Sequence, residues 1–66
     1  MKIVYQGGVV ETPATTVAAF LASRGIDAAA AIVEYEGEVY APGADLDALE
    51  LKPSAVLDVF RIMAGG

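Results

Sequence analysis

The chain contains no cysteine and no histidine. Without cysteine there are no disulfide staples and no thiol nucleophile. Without either residue there is no Cys/His zinc site and no Ser-His-Asp triad. Basic residues are also scarce: four Lys and Arg stand against nine Asp and Glu, a net charge of −5. That balance repels a phosphate backbone and argues against nucleic-acid partners. Long apolar runs are missing as well. The longest-looking one, Thr16–Ala22, falls far short of the roughly 18 residues that suggest a membrane span. The opening Met1-Lys2-Ile3-Val4-Tyr5-Gln6 has neither the apolar block nor the small-residue cleavage site of a secretory signal. These absences point to a cytoplasmic domain, away from membranes, whose partners are proteins.

What remains is a short apolar chain: 66 residues, 56% hydrophobic and 20% charged. This is enough for a single domain over residues 1–66 and too apolar for a disordered tail. A domain of about 60 residues buries only about 60% of its unfolded surface, which leaves little room for a water-excluding pocket of about 300 Å3. General acid–base chemistry would fall to carboxylates, Lys or Tyr. The expectation is a protein that other enzymes act upon and not an enzyme itself. Nothing in the spacing of its residues suggests a bound metal or cofactor.

Residues 2–6 alternate, with Lys2, Val4 and Gln6 toward water and Ile3 and Tyr5 inward. Gly7-Gly8 offers a turn, Val9-Val10-Glu11-Thr12 a returning strand, and Pro13 its end. Ala14–Gly25 reads as the main helix. Thr15 or Thr16 caps it, Val17, Phe20 and Leu21 form its apolar face, and Arg24-Gly25 ends it, with Ile26 packing back. Asp27–Ala30 is either a last helical turn or a connection. Ala31–Glu36 and Glu38–Ala41 form a second hairpin about Gly37, with Val33 and Tyr35 inward. Pro42-Gly43 turns the chain, Ala44–Leu49 suits a short helical turn, and Leu51–Ala55 reads as a turn. Val56–Met63 is the strongest strand. The order predicts an α+β fold, a mixed sheet of four to five strands with one main helix on one face.

In that last strand Asp58 sets the phase. Val56, Asp58, Phe60 and Ile62 then face away from the helix, and Leu57 and Val59 face it. Phe60 and Ile62 would form an apolar patch on the open sheet face beside Val4, a candidate partner surface. The alternative is a slipped phase with Phe60 buried. Ala64-Gly65-Gly66 follows as a flexible tail. A terminal carboxylate is ionised and a poor acyl electrophile, so it needs activation, for example as an acyl-adenylate. Two glycines pass through a partner's cleft where any Cβ would clash.

With these features the chain resembles the thiamine-pathway sulfur-carrier proteins (the ThiS family), which have a ubiquitin-like β-grasp fold. The resemblance rests on Met1-Lys2-Ile3-Val4, Thr15-Thr16-Val17-Ala18, Gly37-Glu38-Val39 and, above all, Val59-Phe60-Arg61-Ile62-Met63-Ala64-Gly65-Gly66. It implies a C-terminal strand beside the first and a free tail. It further implies that Gly66 is adenylated by a ubiquitin-activating-type enzyme (ThiF-like) using Mg-ATP, that a sulfur donor protein converts it to a thiocarboxylate, and that a thiazole synthase (ThiG-like) receives the sulfur. Gly65 and Ala64 would give the partner access. The chain departs from the family pattern at Ser54-Ala55, where Gly-Asp is frequent, and at Glu36, where Asn often precedes the glycine. The molybdopterin-synthase small subunit (MoaD-like) offers the same fold, tail and chemistry, but often has prolines before its Gly-Gly. A third reading is a β-grasp interaction module that carries no sulfur.

Overall fold

The computed structural model describes residues 1–62. The expectations placed on Met63, Ala64, Gly65 and Gly66 lie outside the described residues. Five strands form one sheet: β1 (Lys2–Tyr5), β2 (Gly8–Glu11), β3 (Ala31–Tyr35), β4 (Glu38–Tyr40) and β5 (Val56–Arg61), in the order β2-β1-β5-β3-β4. The first strand pairs antiparallel with β2 and parallel with β5, and β3 pairs antiparallel with both β4 and β5. The last strand therefore sits in the centre of the sheet. The α+β expectation is met, at its upper strand count.

The helix α1 (Val17–Ser23) begins where Thr16 caps it: the Thr16 hydroxyl oxygen accepts the Ala19 N–H at 3.0 Å. Such a cap contributes about 1 kcal/mol. It ends in a Schellman turn, with Gly25 left-handed at φ +70°, its N–H donated to Ala22 and the Ile26 N–H donated to Leu21. Ile26 is then folded under the helix end and buried. Val17, Phe20 and Leu21 pack down on Ile3, Val33, Leu57 and Val59, so the described residues cover one sheet face and leave the other open. Arg24 lies over both Tyr5 and Phe20, 5.2 Å from each ring centroid. Among the described residues no helix is long and apolar enough to cross a membrane.

Two local expectations change and one open choice is decided. The first hairpin turns on Gln6-Gly7, not Gly7-Gly8, with Gly8 paired to Tyr5. Leu51 belongs to the core and not merely to a turn: it is 3% exposed, and its N–H bonds the Thr15 carbonyl under the helix start. The ambiguous Asp27–Ala30 segment is a 3-10 turn, Ala28–Ala30, started by Asp27 accepting the Ala29 N–H at 2.9 Å. A second 3-10 turn, Leu46–Ala48, plugs the core with Leu46.

Candidate functional site

Alternation along β5 gives its two sides opposite jobs. Leu57 and Val59 are buried under the helix, whereas Val56 and Phe60 are exposed on the other side. Arg61, in phase with Leu57 and Val59, is exposed because the strand end runs past the core. Phe60 is 55% exposed on the open face, so the strand phase set by Asp58 holds and the slipped alternative does not. Exposed Val9 and Val39 and half-buried Val4 and Ile32 share that face, by the register that pairs Val4 with Val9 and Glu34 with Val39. Contiguous exposed apolar surface of this kind is a common feature of protein-binding faces.

The arrangement within the face differs from the expected one. Val4 is opposite Val56 and Val9, not beside Phe60, which is four residues farther along β5, about 13 Å of strand. Phe60 stands opposite Ile32 instead. The register of a parallel pair with a long crossover is not written in either strand, which is why the neighbour was misplaced and Ile32 was not foreseen. Ile62 is 52% exposed, and it also lines a shallow groove of about 250 Å3 with Gly25, Ile26, Asp27, Ala30 and Arg61. This groove lies at the root of the tail, where the Ile62 N–H bonds the Ala30 carbonyl.

Between the two apolar ends of the open face, Glu34 and Asp58 stand directly opposite each other, both half-buried. Like charges in that position destabilise a sheet. A partner that sets a cation over the pair would relieve the repulsion. Other acidic residues lie at the sheet margins, Glu11 next to the N-terminus and Glu36 in the second turn.

Gln6 also departs from expectation. Its side chain does not simply face water: the Nε2 donates to the Val59 carbonyl and the Oε1 accepts the Val59 N–H, both at 2.9 Å. The only sequence signal was a long amide in front of a glycine turn. Tyr35, read as a hairpin and core residue, is buried with its hydroxyl donating to the Glu50 carbonyl at 2.7 Å and accepting the Lys52 N–H at 3.2 Å. Burial raises its pKa above 10.0, against the opposing pull of the Lys52 N–H.

Compared by sequence with known protein families and with curated proteins, the chain matches none. By structure it is similar to a thiamine biosynthesis protein (ThiS) from Geobacter metallireducens. The similarity covers 100% of both chains with a TM-score of 0.78 and 24% sequence identity. The fold is a ubiquitin-like β-grasp. In this fold the strand that precedes Ala64-Gly65-Gly66 in sequence is the central one, held on both sides, and its exposed Val56 and Phe60 belong to the apolar open face.

Proposed function

We propose that this chain is a cytoplasmic sulfur carrier of the ThiS type, acting in thiamine biosynthesis as a protein substrate of partner enzymes. The reading is supported chiefly by the full-length similarity in fold to a thiamine biosynthesis protein. The sequence Ala64-Gly65-Gly66 comes after the central strand and has no side chain larger than a methyl group, as a narrow cleft requires. In this reading the Gly66 carboxylate attacks the α-phosphorus of Mg-ATP held by a ThiF-like enzyme, and pyrophosphate leaves. Hydrosulfide, or a donor protein's persulfide whose sulfur–sulfur bond a thiol then cleaves with formation of a disulfide, displaces AMP, and the resulting thiocarboxylate delivers sulfur to a ThiG-like synthase. The carrier supplies a docking face and a correctly placed acyl group. ATP and its magnesium ion belong to the partner. Val4, Val56, Phe60 and Ile62 supply the apolar contact, and Glu34 and Asp58 favour a partner with basic groups at the centre of its surface.

The test is conversion of the intact protein, followed by mass spectrometry, with a ThiF-type enzyme, Mg-ATP and a sulfur source. The expected product carries sulfur in place of one oxygen. Removing Gly66 withdraws the carboxylate by up to about 3.3–3.6 Å. Since a misplacement of about 1 Å can cost a reaction 100-fold, conversion should nearly vanish. Wild-type conversion of the truncated chain would refute the reading. Conversion only by a molybdopterin-pathway activating enzyme would move the carrier to that pathway.

A further inference from the structure

Strand β5 is longer than its neighbour β1, whose last residue Tyr5 lies opposite Leu57. On the β3 side β5 is paired to its end, with Arg61 opposite Ala31 and the Ile62 N–H on Ala30. On the β1 side the backbone ladder stops at the Gln6 N–H, which bonds the Leu57 carbonyl at 3.2 Å. The next outward-facing peptide groups are those of Val59, and among the described residues no strand lies beside them. The Gln6 carboxamide takes their place in the ladder, one donor and one acceptor matched to one carbonyl and one N–H.

The backbone of Gln6 makes this contact more telling. Gln6 is left-handed at φ +51°, followed by Gly7 at φ +80°, a turn whose first position suits Asn, Asp or Gly. A left-handed side-chain-bearing residue costs about 1–2 kcal/mol, and Asn would bear it more easily. Asn is one methylene too short to keep both bonds. The second hairpin repeats the device: Glu36 at φ +50° precedes Gly37, and its Oε2 accepts the Val56 N–H at 3.0 Å at the start of β5. The two turns thus hold the central strand at its start and again at Val59, each through a long side chain on a strained backbone.

We propose that Gln6 is a positioning residue for the tail. By completing the ladder at Val59 it keeps β5 straight to Arg61 and so fixes where the remaining residues leave the domain. The role rests on the sulfur-carrier reading, in which the terminal carboxylate must arrive at a fixed distance from the docked face. Gln6→Asn separates this from a merely structural role. It places a better left-handed residue in the turn, so the melting temperature should hold or rise, while the Val59 amide loses its hydrogen-exchange protection. Adenylation by the ThiF-type enzyme should fall roughly tenfold in kcat/KM, short of the ~100-fold that a full ångström of misplacement can cost.

Gln6→Glu gives a second signature. A protonated carboxyl has the same donor and acceptor as the amide, whereas the ionised form presents only acceptors to the Val59 carbonyl. Protection of the Val59 amide, relative to wild type at each pH, should therefore return as pH falls toward the carboxylate range and disappear above it. The exchange measurements use the carrier alone, so they stand even if no enzyme converts the wild type, a result that would count against the carrier reading instead. Retained Val59 protection in Gln6→Asn would overturn the clamp. Lost protection with wild-type kcat/KM would overturn its role in delivery.

Discussion

Leu57 and Phe60 lie three residues apart on one strand, and their surroundings are opposite. Leu57 is wholly buried among Ile3, Phe20, Leu21 and Val33, while Phe60 leaves more than half of its surface in water. The helix face is closed, small and without an unsatisfied buried side-chain polar atom among the described residues. The open face is apolar at both ends and carries two facing carboxylates between them. One side of the sheet is optimised for the folded state alone. The other tolerates exposed aromatic surface and like-charge repulsion, costs that make sense when a second protein covers them.

Substitutions should separate the two faces. Leu57→Ala is expected to have the largest effect on stability, a loss of about 2–5 kcal/mol, because the sheet and helix cannot collapse into the space left behind. Urea unfolding followed by circular dichroism measures it. A loss below about 1 kcal/mol would mean that the helix side is looser than its burial indicates.

Tyr35→Phe tests the edge of the same core. The Glu50 carbonyl loses its donor and the Lys52 N–H its acceptor, and a buried group left unpaired costs about 1–3 kcal/mol. The pH dependence has a definite sign. The folded pKa of Tyr35 is raised, chiefly by desolvation, so above pH 10.0 the unfolded chain releases a proton that the folded chain retains. Stability from this group is fully present below 10.0 and is lost as pH rises through the folded value. Removing the hydroxyl should flatten the alkaline limb of the stability profile.

How much of this was legible in the chain follows from which signals are local. The helix, its Thr16 cap and its Gly25 stop lie in consecutive residues, and so does the alternation that exposes Phe60. The Gly37 turn was equally readable. Leu51 was not, since a single apolar residue between Glu50 and Lys52-Pro53 has no period of its own, and only the helix start above it makes it core. Gln6 failed for the same reason: its partner Val59 is 53 residues away, and no local pattern announces that β1 ends before β5 does. The pairing of Val4 with Val56 depended on a crossover register that neither strand specifies.

Phe60→Ala should sharpen the contrast. With its side chain mostly in water, truncation is expected to change folding stability by less than about 1 kcal/mol, while weakening binding to a ThiF-type partner by about 1–2 kcal/mol, as for an interface aromatic. Titration calorimetry beside an unfolding curve gives both numbers. A large stability loss with unchanged affinity would make Phe60 structural and empty the open face of its assigned role.

The smallest expected effect has the opposite sign. Asp58 faces Glu34 across the central strand pair, and like charges in that position oppose pairing by about 0.2–1 kcal/mol. Asp58→Asn removes the repulsion without changing the shape of the side chain, so the isolated domain should become slightly more stable, most visibly at low salt, where the repulsion is least screened. If a basic group of the partner sits over the pair, the same substitution weakens the complex and makes its affinity less dependent on salt, because one of the charges that drew the partner in is gone. Opposite changes in stability and affinity from one isosteric substitution are not expected of a residue whose only task is solubility. Gain in stability with unaltered affinity and salt dependence would confine partner binding to the apolar ends of the face. Loss of stability would mean that Asp58 is satisfied within the sheet and that the two faces are less different than their exposure makes them.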